Sequence, residues 1–356
     1  MMSYLMLVIN PGSTSTKVAL FKGYECIKET TLRHDVAELD KYFKIYPQKD
    51  FRREIIVNFL KDNNLTEKDI DVFVGRGGML RPLQGGTYLV NEAMVQDLAE
   101  EKYGSHASNL GAIIAYEFAK PQNKPAYIVD PVCVDEFEDI SRVTGLKGVI
   151  RKSLFHALNQ KAIAKRYASD VGKPYNKLNL IVAHLGGGIS VGLHRQGRVI
   201  DVNNALDGDG PFSPERTGSL PAVAVAELCI KNGYTLDQMK KMIAGKGGLV
   251  SHLGTSSGME ISTRIQSGDS DAKFYLQAMA YQITKEIGAL YFVLSGKIDA
   301  ILITGGLAHN KDLVGMLKHY MDPIMKLSIY PGEDEMKSLA EGTMRVLEGI
   351  ERVKHY

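Results

Sequence analysis

Two stretches decide how this chain is read: Val8-Ile-Asn-Pro-Gly-Ser-Thr-Ser-Thr-Lys-Val-Ala-Leu20 and Val182-Ala-His-Leu-Gly-Gly-Gly-Ile-Ser-Val-Gly-Leu193. Each runs from an apolar strand through a polar, glycine-bearing turn into a second apolar strand. Their separation is far longer than the roughly 20–50 residues of a solenoid repeat, so the pair reads as two domains of similar topology. Chance likeness of two hairpins is the competing reading.

The flanking pattern supports duplication. The first half reads as strands at 5–9, 18–21 and 25–31, a helix at 51–64 and a strand at 71–74. Helices at 92–102 and 107–119 and a strand at 126–129 follow. The second half restarts with a helix at 153–168 and strands at 180–184, 190–194 and 198–202. Helices at 222–231, 236–243 and 272–295, strands at 300–304 and 326–330 and a helix at 335–348 complete it. Two β-β-β-α-β-α units make an α/β protein, with a ligand expected in the cleft between them.

Composition narrows the function. At 356 residues the chain is long enough for two domains of roughly 100–200 residues each. Lys and Arg number 43 against 41 Asp and Glu, so no basic excess marks a nucleic-acid binder. The three cysteines, Cys26, Cys133 and Cys229, form no CxxC pair, which excludes a disulfide scaffold or zinc ribbon. The N-terminal run has no basic flank and reads as a first strand rather than a signal peptide. No apolar stretch approaches the ~20 residues that span a bilayer. The expectation is a cytoplasmic protein with neither a membrane nor a nucleic-acid partner.

The chemistry sits in three glycine-bearing turns. Asn10, Gly12, Ser13, Thr14, Ser15 and Lys17 offer hydroxyls, turn amides and an ammonium, a donor set suited to phosphate oxygens. A plain hairpin turn is the alternative, although it rarely needs four hydroxyls, as Ser13, Thr14, Ser15 and Thr16 supply here. Gly186, Gly187 and Gly188, between His184 and Ser190, expose backbone N–H groups and read as a second anion cradle. Gly305 and Gly306, followed by Asn310, join a buried strand to a helix and allow backbone to approach a flat ligand such as adenine. Neither a GxxxxGK[ST] loop nor a GxGxxG fingerprint is present, so a nucleotide would bind by neither device.

These motifs, in this order, resemble the acetate kinase/butyrate kinase family. That family belongs to the superfold of acetate and sugar kinases, heat-shock chaperones and actin, which is ribonuclease H-like. The resemblance covers the whole chain. The segments from Val74 (VGRGGMLRPLQGGTYLV), Tyr127 (YIVDPVCVDE) and Pro211 (PFSPERTGSLP) look like butyrate kinases rather than acetate kinases. It implies a first domain of residues 1–131 plus 335–356 and a second of 132–334. The implied reaction is reversible phosphoryl transfer from ATP to butyrate, giving butyryl phosphate and ADP, with Mg²⁺. Isobutyrate, propionate or acetate are alternative acceptors, and a nucleotide-switched chaperone-like protein is the rival from another class. A homodimer or higher homo-oligomer is also implied.

The resemblance assigns residues as well. Arg76 and Arg216 match the family arginines that face the transferring phosphoryl group, and Asp130 the carboxylate that organises Mg²⁺. Glu335 is its expected metal partner, with Glu333 and Asp334 open as alternatives. His156 and His184 match histidines near the phosphoryl group, while His106 and Phe155 fall on the substrate side. Acetate kinases carry bulky valines where this chain has Gly77 and Gly78. The expectation is an acyl pocket widened by the missing side chains, each extra buried methylene being worth roughly 0.8 kcal/mol.

Overall fold

The computed structural model describes residues 4–39 and 41–356. The strands are β1 Leu5–Pro11, β2 Ser15–Lys22, β3 Glu25–Arg33, β4 Val72–Gly75, β5 Thr87–Leu89, β6 Ala126–Val129, β7 Asn179–Leu185, β8 Ile189–Arg195, β9 Arg198–Val202, β10 Ala300–Gly305, β11 Leu327–Pro331 and β12 Lys354–His355. The helices are α1 Val36–Leu39, α2 Lys49–Asp62, α3 Glu92–Ala99, α4 Asn109–Ala119, α5 Ala157–Asp170, α6 Ala222–Asn232, α7 Leu236–Ile243, α8 Leu249–Leu253, α9 Gly258–Gln266, α10 Ser270–Val293, α11 Lys311–Met321 and α12 Glu335–Leu347.

The chain divides into two units, Met1–Val134 with Asp334–Tyr356, and Asp135–Glu333. The sequence reading sets these boundaries at 131/132 and 334/335. Among the described residues, the first unit holds a sheet of order β12-β5-β6-β4-β1-β2-β3 and the second one of order β11-β10-β7-β8-β9. The two orders share a pattern. In each, an antiparallel meander (β1-β2-β3, β7-β8-β9) continues into two strands parallel to its first member (β4 and β6, β10 and β11).

Strand alternation puts both faces of each sheet to use. In the second unit Ile181, Ala183, Leu193, Ile301 and Ile303 pack with Met279 and Ile283 of α10. The intervening residues Leu180, Val182, Ala300 and Leu302 pack with Ile163 and Ala164 of α5. In the first unit Leu7, Ile9, Val18, Leu20 and Phe73 share a core with Ile56 of α2 and Ile113 of α4. The opposite face is covered by α12, which lies on β6 and β1. Burying both faces of a mixed sheet is the arrangement that near-continuous apolar strands call for.

Some elements differ from the sequence reading. The helix expected from residue 153 begins at Ala157, because the Leu154 carbonyl accepts from the Ala205 amide and Phe155 closes a tight turn onto the Ala157 amide. The strands β5 and β12 are three and two residues long, too short to show a period. Among the described residues no helix is long and apolar enough to cross a membrane.

Candidate active site

Parallel register aligns the first unit's polar residues. Ile9, Gly75 and Ile128 are paired across β1, β4 and β6, so the next positions, Asn10 and Arg76, fall side by side at the strand ends. Val129 is the β6 residue in that row, and Asp130 follows it one position further on, held by a 2.6 Å hydrogen bond from the Gly86 amide to its Oδ1. Its φ of +38° is unusual for a residue with a side chain, and such strain concentrates at functional positions. Glu335, in the first turn of α12, accepts from Asn10 Nδ2 at 2.7 Å and from Arg76 Nη1.

Behind the hydroxyl-rich turn sits a residue the sequence reading does not single out. Arg52, from α2, is fully buried. Its guanidinium donates to the carbonyls of Gly12 (2.8 Å), Ser13 (3.2 Å) and Ser15 (3.1 Å), to Thr16 Oγ1 and to Gln48 Oε1. The Thr14 carbonyl accepts from the His34 amide at 2.9 Å. Every carbonyl from Gly12 to Ser15 is thus turned inward, and the Ser13 and Thr14 amides bond to no acceptor among the described residues. That is the polarity an anion cradle requires. Lys17 is exposed and lies opposite Asn10 in the β1–β2 ladder. Burial pushes the Arg52 guanidinium down to about 10, which leaves it charged at neutral pH.

In the second unit the triple glycine turn is the meeting point. A Cβ on Gly186 would lie 3.0 Å from His184 Nε2 and 3.3 Å from Glu333 Oε1, and one on Gly188 would strike the Arg216 guanidinium at 2.0 Å. Arg216 donates to the Ala205 carbonyl. It has no carboxylate within ion-pair distance among the described residues. Burial lowers its pKa, while the nearby Glu215 and Asp207 oppose that shift. The rings of His156 and His184 stack with centroids 3.8 Å apart. His184 Nδ1 meets Asn159 Oδ1 at 2.8 Å, and His156 Nδ1 meets Ser190 Oγ at 2.9 Å.

Beside the third glycine turn lies a cavity of about 660 Å³, lined among others by Gly258, Ser262, Gly306, Leu307 and Asn310. That volume is within the range of small-molecule sites. A Cβ on Gly306 would meet nothing within 4 Å, so the backbone there is open. Gly305, with φ +90°, sits against the Leu185 backbone instead. Asn310 caps α11 and ties it to α9 through Gly258 and Ser262.

Other expected site residues have plainer surroundings. His106 is exposed and bonds Ser108, and Phe155 is buried. The reading of Gly77 and Gly78 as room for an acyl chain needs correction. A Cβ on Gly78 would lie 2.3–2.8 Å from Asn109, including its backbone, and one on Gly77 would lie 2.6 Å from Pro131. These glycines let the loop after β4 sit directly against α4 and against the Asp130–Pro131 turn, so their Cβ directions do not open a pocket.

No group of three His, Cys, Asp or Glu among the described residues could hold a metal. Mg²⁺ needs only one or two carboxylates when a nucleotide supplies phosphate oxygens. Asp130 fits that role, with one carboxylate oxygen engaged by Gly86, whereas both oxygens of Glu335 are already bonded. The donor set therefore suits an ion that arrives with a phosphate ligand.

Comparison with known proteins bears on the family and the fold. A model of the acetokinase family matches residues 140–341. Butyrate kinase 2 of Clostridium acetobutylicum is 52% identical over 355 residues, 100% of both chains. The structure of Porphyromonas gingivalis acetate kinase superposes with a TM-score of 0.80 at 20% identity, over 97% of this chain and 100% of its own. A propionate kinase from Francisella tularensis subsp. tularensis gives 0.74 at 18% identity, over 95% and 98%. These superpositions establish the two-domain α/β fold of acetate kinases.

Two outcomes follow from the first unit. His34 is 7% exposed, and burial, with Arg52 second, holds its imidazole at about 4 against an ordinary 6.5. It is neutral in the fold but charged in the unfolded chain between those values. Its contribution to stability is complete above pH 6.5, declines as pH falls toward 4 and changes no further below. Denaturation curves across this range should show that slope, and His34→Leu should flatten it; an equal slope in both proteins rules His34 out as the source. Gly78→Val should cost about 1–3 kcal/mol or more through overpacking against Asn109, whereas an unchanged denaturation midpoint would mean the α4 backbone yields freely.

Proposed function

Because the chain belongs to the acetokinase family, we propose that it transfers a phosphoryl group reversibly between ATP and the carboxylate of butyrate. The observation that carries the choice of acid is the 52% identity, end to end, with a butyrate kinase. A propionate kinase of similar fold makes other short-chain acids reasonable secondary substrates.

In this reading a carboxylate oxygen attacks the γ-phosphorus in line, and that P–O bond forms as the bond to the β,γ-bridging oxygen breaks. ADP leaves with the electron pair. Little covalent work falls to the protein, whose task is to position the reactants and stabilise the charge on the three equatorial oxygens. Arg216 suits that task because among the described residues no carboxylate lies within ion-pair distance of it and its guanidinium donates to the Ala205 carbonyl. Arg76 would exchange its contact with Glu335 for the anionic substrate. The amides of Ser13 and Thr14, the triple glycine turn, Lys17 and the His156 ring supply further donors, with His184 stacked on that ring. The cavity beside Gly306 would take the nucleoside, with its flat base against open backbone. Asp130 would hold Mg²⁺, which when bound neutralises phosphate charge.

Steady-state kinetics over straight and branched acids of two to five carbons should give the highest kcat/KM at four. A maximum at acetate would overturn the choice of acid, and no acyl phosphate with any of them would overturn the reading. Arg216→Ala should lower kcat by ~10²–10³-fold, the usual cost of one transition-state donor, with the circular dichroism spectrum unchanged. A normal kcat at saturation would remove this residue from the chemistry.

We also propose a homodimer. The helix α6, Ala-Val-Ala-Val-Ala-Glu-Leu-Cys-Ile-Lys-Asn, is largely apolar yet has no buried residue, and Ile230 is 81% exposed. An apolar helix in this condition calls for a covering surface, and a second copy of the chain supplies one. Light scattering should give twice the chain mass, falling to one chain mass in Val223→Glu/Ile230→Glu. A monomeric parent protein would refute this.

A further inference from the structure

Three buried side chains on one face of the second sheet form a hydrogen-bonded chain that ends on His156. Ser190, Gly192 and His194 alternate along β8 with the core residues Ile189, Val191 and Leu193, so they face α5 rather than α10. There they meet Gln160. A Cβ on Gly192 would lie 2.3 Å from Gln160 Oε1, so this mid-strand position must be glycine to admit the amide.

Backbone chemistry fixes the direction of the chain. Gln160 Nε2 is 3.0 Å from the Ser190 carbonyl, which can only accept, so the amide nitrogen must face β8. The same nitrogen is 2.8 Å from Ser190 Oγ and donates there too. Ser190 is fully buried, and among the described residues its hydroxyl proton has one acceptor within reach, His156 Nδ1 at 2.9 Å. A ring nitrogen that accepts carries no proton. At the other end, His194 Nε2 donates to Gln160 Oε1 at 3.0 Å, and Tyr175 Oη donates to His194 Nδ1 at 2.8 Å. Every link then points the same way, and such chains polarise one another in a buried setting.

We propose that Gln160, acting through Ser190, is a positioning residue that holds His156 with its proton on Nε2, so that the ring presents an N–H donor to the transferring phosphoryl oxygens. This rests on the placement of His156 near that group in the proposed function. Asn159, the preceding residue of α5, acts similarly on the stacked ring. Its Nδ2 donates to the Glu333 carbonyl at 3.0 Å, which leaves Oδ1 to accept from His184 Nδ1. The two stacked rings are therefore locked in opposite senses, with His156 protonated on Nε2 and His184 on Nδ1. Burial, with Lys161 second, holds His194 well below its ordinary value, so it stays a neutral link.

The test is the tautomer itself. In protein labelled with ¹⁵N-histidine, the His156 resonances, assigned by their loss in His156→Gln, should show a protonated Nε2 and an unprotonated Nδ1. Ser190→Ala and Gln160→Met should each yield a tautomer mixture. Both should lower kcat for acyl phosphate formation by up to ~10²-fold, the scale of one lost donor. The KM values for ATP and acid should change little, and Ser190→Thr should restore the single tautomer and most of kcat. A proton on Nδ1 in the parent protein overturns the proposal whatever the variants do, so a variant that fails to fold does not protect it. An unaltered kcat in folded Ser190→Ala overturns it as well. An Nε2 proton in a protein that phosphorylates no acid would leave the lock standing and sink the functional reading instead.

Discussion

Parallel pairing is the constraint from which the rest of the site follows. Parallel strands run in step, so the residues just beyond their ends are neighbours whatever their distance along the chain. In the first unit this aligns Asn10, Arg76 and Val129 from three separate segments, with Asp130 the next residue after Val129. In the second, pairing of His184 with Thr304 and of Thr304 with Tyr330 places the triple glycine turn, Gly305 and Glu333 at one edge. Each unit then lays a helix across the same relative face of its sheet. The first turn of that helix reaches the motif residue on the first strand: Glu335 of α12 bonds Asn10, and Asn159 of α5 bonds His184. The duplication seen in the hairpins thus extends to how each motif is held.

Buried charge is handled differently in the two units. Lys161 and Glu136 are both buried and bond each other at 2.8–3.0 Å, while the carboxylate also accepts the Val199 amide. Removing one partner of such a pair typically costs about 3–5 kcal/mol, since the other charge is left alone in a dry interior. Among the described residues Arg52 has no carboxylate partner. Its charge is met by loop carbonyls, which stabilise it less than an anion does. The benefit is directional, because carbonyls drawn toward a cation send their amides the other way. A carboxylate in that place would satisfy Arg52 and leave the turn free to rotate its peptides.

How much of this was legible beforehand depends on the range of the signal. The hairpins and most helices announce themselves through apolar periodicity, which acts between near neighbours and survives in any fold. The glycine turns were legible for the same reason. Gly77 and Gly78 show the limit of that reading. A missing side chain looks like added room in a sequence, but whether the room lies in a pocket or inside a packed loop depends on what stands opposite, here Asn109 and Pro131. Arg52, Asn159 and Gln160 were silent because a polar residue on a helix ordinarily faces water. Only the sheet on the other side makes them buried partners of the site.

The sequence by itself determined the α/β class, the duplication, the three glycine turns and the family. All of these are written in local pattern and motif order. The tertiary structure alone decided which residues become neighbours, that Glu335 meets Arg76 while Glu333 stands beside His184, and that Gln160 lies under Ser190. Those contacts join residues up to 259 positions apart in the chain. The physical reason is that strand register and helix placement set such distances, and both are properties of the packed chain as a whole rather than of any window along it.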